Sequence, residues 1–152
     1  DTRINKLNDG LYDAIILSYA GIKSLNIDNK ISEIFSVKDF IPSAGQGIIS
    51  LQCREDDKEV DTILKKVNHN ITYQRAIAER NVLKVLEGDC ETAVGAHAVL
   101  VGNKITLEAE LFSLDGTKRF YEKKSSEVKD AEKLGQEVGK ILKLKSNNTY
   151  KK

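Results

Sequence analysis

Apolar and polar positions follow two regimes along this chain. In the first 60 residues, apolar positions come in short runs separated by Gly, Asn and charged clusters. Ile4 and Leu7, three apart and followed by Gly10, predict a helix over Thr2 to Asn8. The run Asp13 to Tyr19 lacks alternation and lies between Gly10 and Gly21, which predicts a strand buried on both faces of a parallel sheet. A short helix is expected from Ala20 to Leu25. Helix, Gly stop, buried strand and helix together give α/β character. Ile41 to Gly47 holds the single Pro and two close Gly residues, Gly45 and Gly47, and reads as a turn or crossing segment. Ile49, Leu51 and Cys53 alternate with Ser50, Gln52 and Arg54, the period of a strand with one buried face. The charged run Arg54 to Glu59 then closes it as a solvated loop or helix start.

From Asp61 the organisation changes. Ala78, Val82 and Leu86 stack four apart and predict an amphipathic helix over 72–86, with Gly88 as the residue that stops it. Val94 to Val101 reads as a strand, Gly102-Asn103 as a tight turn, and Ile105, Leu107, Ala109 and Leu111 as the apolar side of a second strand. Asp115-Gly116 is a hairpin signal ahead of a third strand, Lys118 to Lys123. Ala131, Leu134, Val138, Ile141 and Leu142 form the stripe of a last helix, with Asp130 as its N-cap. Gly135 and Gly139 lie inside that helix, each at about 1 kcal/mol relative to Ala, and their spacing suggests close packing on the sheet. The Lys- and Asn-rich tail from Lys143 is expected to fray.

Composition narrows the function classes. Charge is abundant but balanced, with 24 basic and 23 acidic residues, which gives no electrostatic footprint for nucleic acid. No apolar run approaches the ~20 residues of a membrane helix, and no signal peptide opens the chain. A cytoplasmic protein is therefore expected. The chain has no Met, and its first helix starts at Thr2, so a portion of a longer polypeptide is expected. Cys53 and Cys90 form no Cys-x-x-Cys pair and show no metal spacing with His69 or His97, which argues against zinc, redox and disulfide-framework readings.

Four features could carry chemistry. Cys90 follows a predicted helix end, between acidic Asp89 and Glu91, as an accessible thiol whose neighbours would raise its pKa. Arg3 and Arg54 adjoin predicted buried elements, and Arg suits bidentate grip on carboxylate or phosphate, although a surface ion pair is the commoner fate. Arg75 and Arg80, on the long helix, read as ordinarily solvated. Gly45-Gln46-Gly47 could bring backbone N–H groups close to an anion. His97 reads as a half-buried strand residue, His69 as a surface residue, and Cys53 as a small core hydrophobe.

Taken in order, these segments resemble the porphobilinogen deaminase (hydroxymethylbilane synthase) family over essentially the whole chain. The resemblance rests on Thr2-Arg3 with Lys6-Leu7, Tyr12 to Leu17, Ala20 to Lys23, Pro42 with Gly45-Gln46-Gly47, Cys53-Arg54, Ala78-Glu79-Arg80, and Leu86-Glu87-Gly88 with Cys90. It implies α/β plus α+β architecture: part of a periplasmic-binding-protein-like α/β domain followed by a small α-β-β-β-α domain. By that likeness, residues 1–41 are the later part of the second domain. Residues 42–60 are a strand segment returning to the first domain, and 61–152 are the C-terminal α+β domain.

The resemblance also implies a transferase of tetrapyrrole (heme) biosynthesis. It joins four porphobilinogen units into hydroxymethylbilane, releasing ammonia at each. The implied cofactor is one dipyrromethane per chain, held by thioether to Cys90. Arg3 and Arg54 match positions that bind pyrrole carboxylates. Gln46 and Gly47 match cleft residues beside the cofactor, and Ser18 lies where the backbone approaches it. The family's catalytic aspartate belongs to the first domain and is not in this chain. The implied partners are porphobilinogen, the growing pyrrole chain and the missing N-terminal portion, in an enzyme that is monomeric at full length. Asp89 stands where the family usually has Gly, and Ala93 where Pro is usual, departures that put in doubt the loop geometry the resemblance implies and not the anchor. The competing readings are a non-catalytic small-anion binding module with unmodified Cys90, and an interaction domain formed by residues 61–152.

Overall fold

A computed structural model describes residues 2–87 and 92–151. It divides into two compact units, residues 1–35 and 36–152. In the first, α1 (Thr2–Asn8) ends in a paired reversal: the Gly10 N–H donates to Leu7 O at 3.0 Å and the Leu11 N–H to Lys6 O at 3.0 Å. Gly10 sits at φ 73, the left-handed position such a stop requires. Helix α2 (Tyr19–Ser24) stops in the same way, with Asn26 at φ 55 and the Ile27 N–H donating to Ile22 O. Ile22 is buried.

The strand expected over Asp13 to Tyr19 is absent, and Ile16 is 64% exposed. The strand expected over Ile49 to Cys53 is absent too, with Ile49 88% and Leu51 59% exposed and Cys53 half-buried rather than in a core. The physical reason is the same for both. An extended segment becomes a strand only when a neighbour about 4.8 Å away takes its N–H and C=O groups, and among the described residues neither segment has one.

The second unit holds a helix that sequence periodicity left unassigned. The charged run before it ends at Asp57, whose Oδ1 accepts from the Val60 N–H at 3.0 Å and caps α3 (Lys58–Val67). Helix α4 (Asn70–Leu86) follows, then β1 (Val94–Val101), β2 (Lys104–Phe112), β3 (Arg119–Glu127) and α5 (Ala131–Ser146). The expected α-β-β-β-α order is what forms. The strands are antiparallel in the order β1-β2-β3, and Ala98 pairs with Leu107 and Leu107 with Lys124. Every second residue of β2 (Ile105, Leu107, Ala109, Leu111) meets Ala78, Val82 and Leu86 of α4 and Leu134, Val138 and Leu142 of α5 in one buried cluster. Asp130 occupies the N-cap position of α5, but its side chain makes no cap bond and instead faces Lys133 at 3.4 Å.

Gly135 and Gly139 serve the contact between α4 and α5 rather than the sheet. A Cβ on Gly135 would lie 2.2 Å from Ala78 O, and one on Gly139 would lie 2.8 Å from Val85 Cβ. The expected fraying of the tail is also overturned. Helix α5 runs to Ser146, Asn147 and Asn148 take left-handed conformations, and Tyr150 turns back to 1% exposure with its OH donating to Leu86 O at 2.8 Å. An aromatic side chain buried on the core outweighs the polar composition around it.

Gly135→Ala is expected to destabilise the protein. Helix propensity favours Ala by about 1 kcal/mol, but overpacking against a backbone carbonyl costs about 1–3 kcal/mol and no rotamer relieves it. Urea unfolding of the variant should show a lower midpoint; an equal or higher one would refute this packing.

The β2–β3 connection gives a pH dependence. The Asp115 carboxylate accepts from the Ser113 hydroxyl at 2.6 Å, the Thr117 N–H at 3.0 Å and the Thr117 hydroxyl at 2.8 Å. These bonds hold it down from its ordinary 3.8 to about 2. A lowered folded value means stability that is present above 3.8 and lost as pH falls towards 2. Wild type should therefore exceed Asp115→Asn in stability at pH 7, with the gap closing between pH 4 and 2. A gap independent of pH would contradict the assignment.

Candidate functional site

The turn expected at Ile41 to Gly47 packs against the outer edge of β1. Pro42 O accepts from the Ala96 N–H at 2.9 Å, and Ile41 is buried over Gly95, where an added Cβ would come within 2.7 Å of Ile41 O. Gly45 and Gly47 lie at φ 76 and 77, a region open to Gly and strained for other residues. Within the turn, the Gln46 N–H donates to Ser43 O at 3.0 Å and the Ile48 N–H to Gly45 O at 3.1 Å.

The residue that fastens this turn is Glu79, which was visible in the sequence only as part of Ala78-Glu79-Arg80. It lies on α4 next to Ala78 and is 3% exposed. Its Oε2 accepts from the Gly45 N–H at 2.8 Å, and its Oε1 from the Ala98 N–H at 2.8 Å. One turn earlier on the helix, Arg75 Nε donates to Ala98 O at 2.5 Å. Arg75 is thus half-buried and engaged, contrary to the solvated role expected of it, while Arg80 is exposed as expected. Glu79, Arg75 and Pro42 together pair three edge groups of β1 that no strand takes, the Ala96 N–H and the N–H and C=O of Ala98.

Of the amides in Gly45-Gln46-Gly47, two are consumed inside the fold, and the Gly47 N–H has no partner among the described residues. Space is open around Gly45 and Gly47, since a Cβ on either would meet nothing within 4 Å. Gln46 and Arg54 are exposed. A backbone donor without a partner among the described residues and an exposed guanidinium are groups able to donate hydrogen bonds to an anion.

Arg3 and Ser18 belong to the first unit. Arg3 lies exposed on α1, and Ser18 lies at the N-cap of α2, exposed and without a side-chain cap bond. Cys90, Gly88 and Asp89 lie outside the described residues. What precedes them is firmly held: α4 ends at Glu87 in the left-handed conformation, and the Glu87 carboxylate receives Lys143 at 3.0 Å and Lys151 at 3.4 Å. Those two ammonium groups hold Glu87 below its ordinary value, and the Glu87 carboxylate in turn raises Lys143. His97 is half-buried in β1, and His69 is exposed, with Nδ1 2.8 Å from the Thr72 hydroxyl. Among the described residues no group of His, Cys, Asp or Glu could hold a metal ion, and no helix is long and apolar enough to cross a membrane.

A helical unit thus precedes a unit in which α3 and α4 lead into three antiparallel strands and α5, with a Gly turn fastened to α4 and β1. Residues 1–62 match the family model described as porphobilinogen deaminase, dipyromethane cofactor binding domain. Residues 73–144 match the one described as porphobilinogen deaminase, C-terminal domain. The chain is 40% identical over 142 residues to the porphobilinogen deaminase of Desulforamulus reducens, covering 93% of this chain and 46% of that protein. It is 38% identical over 141 residues to that of Coxiella burnetii strain Dugway, with the same coverage. With that of Nostoc sp. it shares 34% over 142 residues, 93% of this chain and 44% of that protein. The chain belongs to the porphobilinogen deaminase family, and it spans about half the length of the curated relatives it matches.

Proposed function

We propose that this chain is the cofactor-carrying portion of a hydroxymethylbilane synthase, a transferase that joins four porphobilinogen units and releases ammonia at each. The observation that carries the reading is the turn at Gly45 to Gly47. Its open cradle and a Gly47 N–H without a partner among the described residues lie in the same unit as exposed Arg54, and residues 1–62 match the family's cofactor binding domain. When bound, the dipyrromethane supplies the primer to which incoming units are joined.

The chain's own residues hold and orient it. Cys90 is the thioether anchor, and a permanent anchor needs no depressed thiol pKa, which suits its acidic neighbours. Arg54 and Arg3 bind acetate and propionate groups through their guanidinium forks. The Gly47 N–H and the Gln46 side chain offer further donors, and Ser18 marks the close approach of backbone in the first unit.

In this reading residues 1–41 belong to a periplasmic-binding-protein-like α/β domain, 42–60 return to a preceding domain, and 61–152 form the domain bearing Cys90. The exposed apolar positions Ile16, Ile49 and Leu51 are then covered by strands of the N-terminal portion, which also supplies the catalytic aspartate. The chain alone is accordingly inactive, while the complete enzyme is a cytoplasmic monomer.

Intact mass of the protein produced as the complete enzyme tests the anchor. Wild type should carry the added mass of one dipyrromethane, and Cys90→Ser should carry none. A wild-type mass equal to the bare polypeptide favours instead an anion-binding module with unmodified Cys90, and an adduct retained in Cys90→Ser moves the anchor elsewhere.

A further inference from the structure

We propose that Glu79 is a positioning residue: through its buried carboxylate it sets the Gly45-Gln46-Gly47 turn relative to the sheet and to helix α4. Resting on the reading that this turn lines the cofactor cleft, it assigns to Glu79 the placement of the Gln46 and Gly47 donors during turnover.

The geometry is specific. Among the described residues Glu79 has no cation within ion-pair distance, and its hydrogen bonds come from two backbone N–H groups on separate segments, Gly45 and Ala98. The entrance of the turn is seated on β1 by Pro42 and Ile41. Beyond that point Ala44 packs on the apolar cluster, and among the described residues the hydrogen bond that ties the turn to α4 is the grip on Gly45. The two bonds inside the turn fix its shape and leave its direction free. An apolar residue at 79 could fill the space, but it would leave two amides without an acceptor and the turn held at one end. Carboxylates hydrogen-bonded by backbone N–H groups are among the firmer anchors available.

Glu79→Gln tests this without changing size, because an amide accepts at one end and donates at the other, so it cannot receive both N–H groups. In the 152-residue chain, amide hydrogen exchange at Gly45 should accelerate while Leu107 and Ala109 in β2 keep their protection. In the complete enzyme, kcat for porphobilinogen should fall about tenfold to a hundredfold, the scale of a small misplacement at a reacting centre, with the thermal midpoint little changed. Should Glu79→Gln lose the β2 protection as well, Glu79→Asp replaces it. That variant keeps the charge but is one methylene too short to span both amides, and the same two effects are expected. Unchanged Gly45 exchange, or kcat within twofold of wild type in an enzyme whose mass shows a loaded cofactor, overturns the assignment. A wild-type enzyme with no cofactor mass overturns the cleft reading beneath it, and with it the role in turnover; the exchange result still decides whether Glu79 holds the turn.

Discussion

Glu79 is a carboxylate removed from water with no cation within ion-pair distance among the described residues, and the arrangement around it follows from that cost. An ionised group in the interior is tolerated only when hydrogen bonds replace its hydration. Here they come from Gly45 and Ala98, and each bond to a charged group contributes about 1.5–3 kcal/mol. The same two bonds settle two problems of the backbone. They occupy an N–H on the free edge of β1, and they tie a Gly-rich turn, costly in chain entropy, to the helix that packs on the core. Arg75, one turn away on α4, takes the matching carbonyl of Ala98 and completes the cover.

That cover works only if α4 holds its height above the sheet, and the α4–α5 contact sets this height. Gly135 and Gly139 let the backbone of α5 approach Ala78 and Val85 closely. Residues at the far end of α4 are then fixed by the chain's last turn, through Tyr150 on Leu86 O and Lys143 and Lys151 on Glu87. One helix thus carries the clamp on the proposed cleft turn near its middle and, just past its end, the cysteine proposed to root the cofactor.

The legibility of this fold in its sequence follows where the interaction partners lie. For α4, the three strands and α5, the apolar stripes that define the pattern meet one another in one buried cluster within the chain, so period and burial agree and the elements form close to where the pattern puts them. Asp13 to Tyr19 and Ile49 to Cys53 have strand patterns without strand neighbours, and extended exposed chain results. Tyr150 was hidden by the Lys and Asn around it, because composition is an average and one buried ring decides the outcome. Glu79 was hidden for the opposite reason: a charged residue beside Ala78 on a helix reads as solvent-facing, and only the position of Gly45, 34 residues earlier, shows what it is for. The anionic ligand proposed here was suggested by residue types, Arg54 with Gly45-Gln46-Gly47. The placement of Cys90 lies outside the described residues, so its role rests on sequence and family.

Locating the cofactor on the polypeptide tests this account most directly. Trypsin applied to the complete enzyme releases one peptide running from Val85 to Lys104, with Cys90, and another from Asp39 to Arg54, with Cys53. Mass spectrometry should find dipyrromethane on the peptide containing Cys90, with the Cys53 peptide unmodified. A modified Cys53 peptide, or no modified peptide at all, would contradict it.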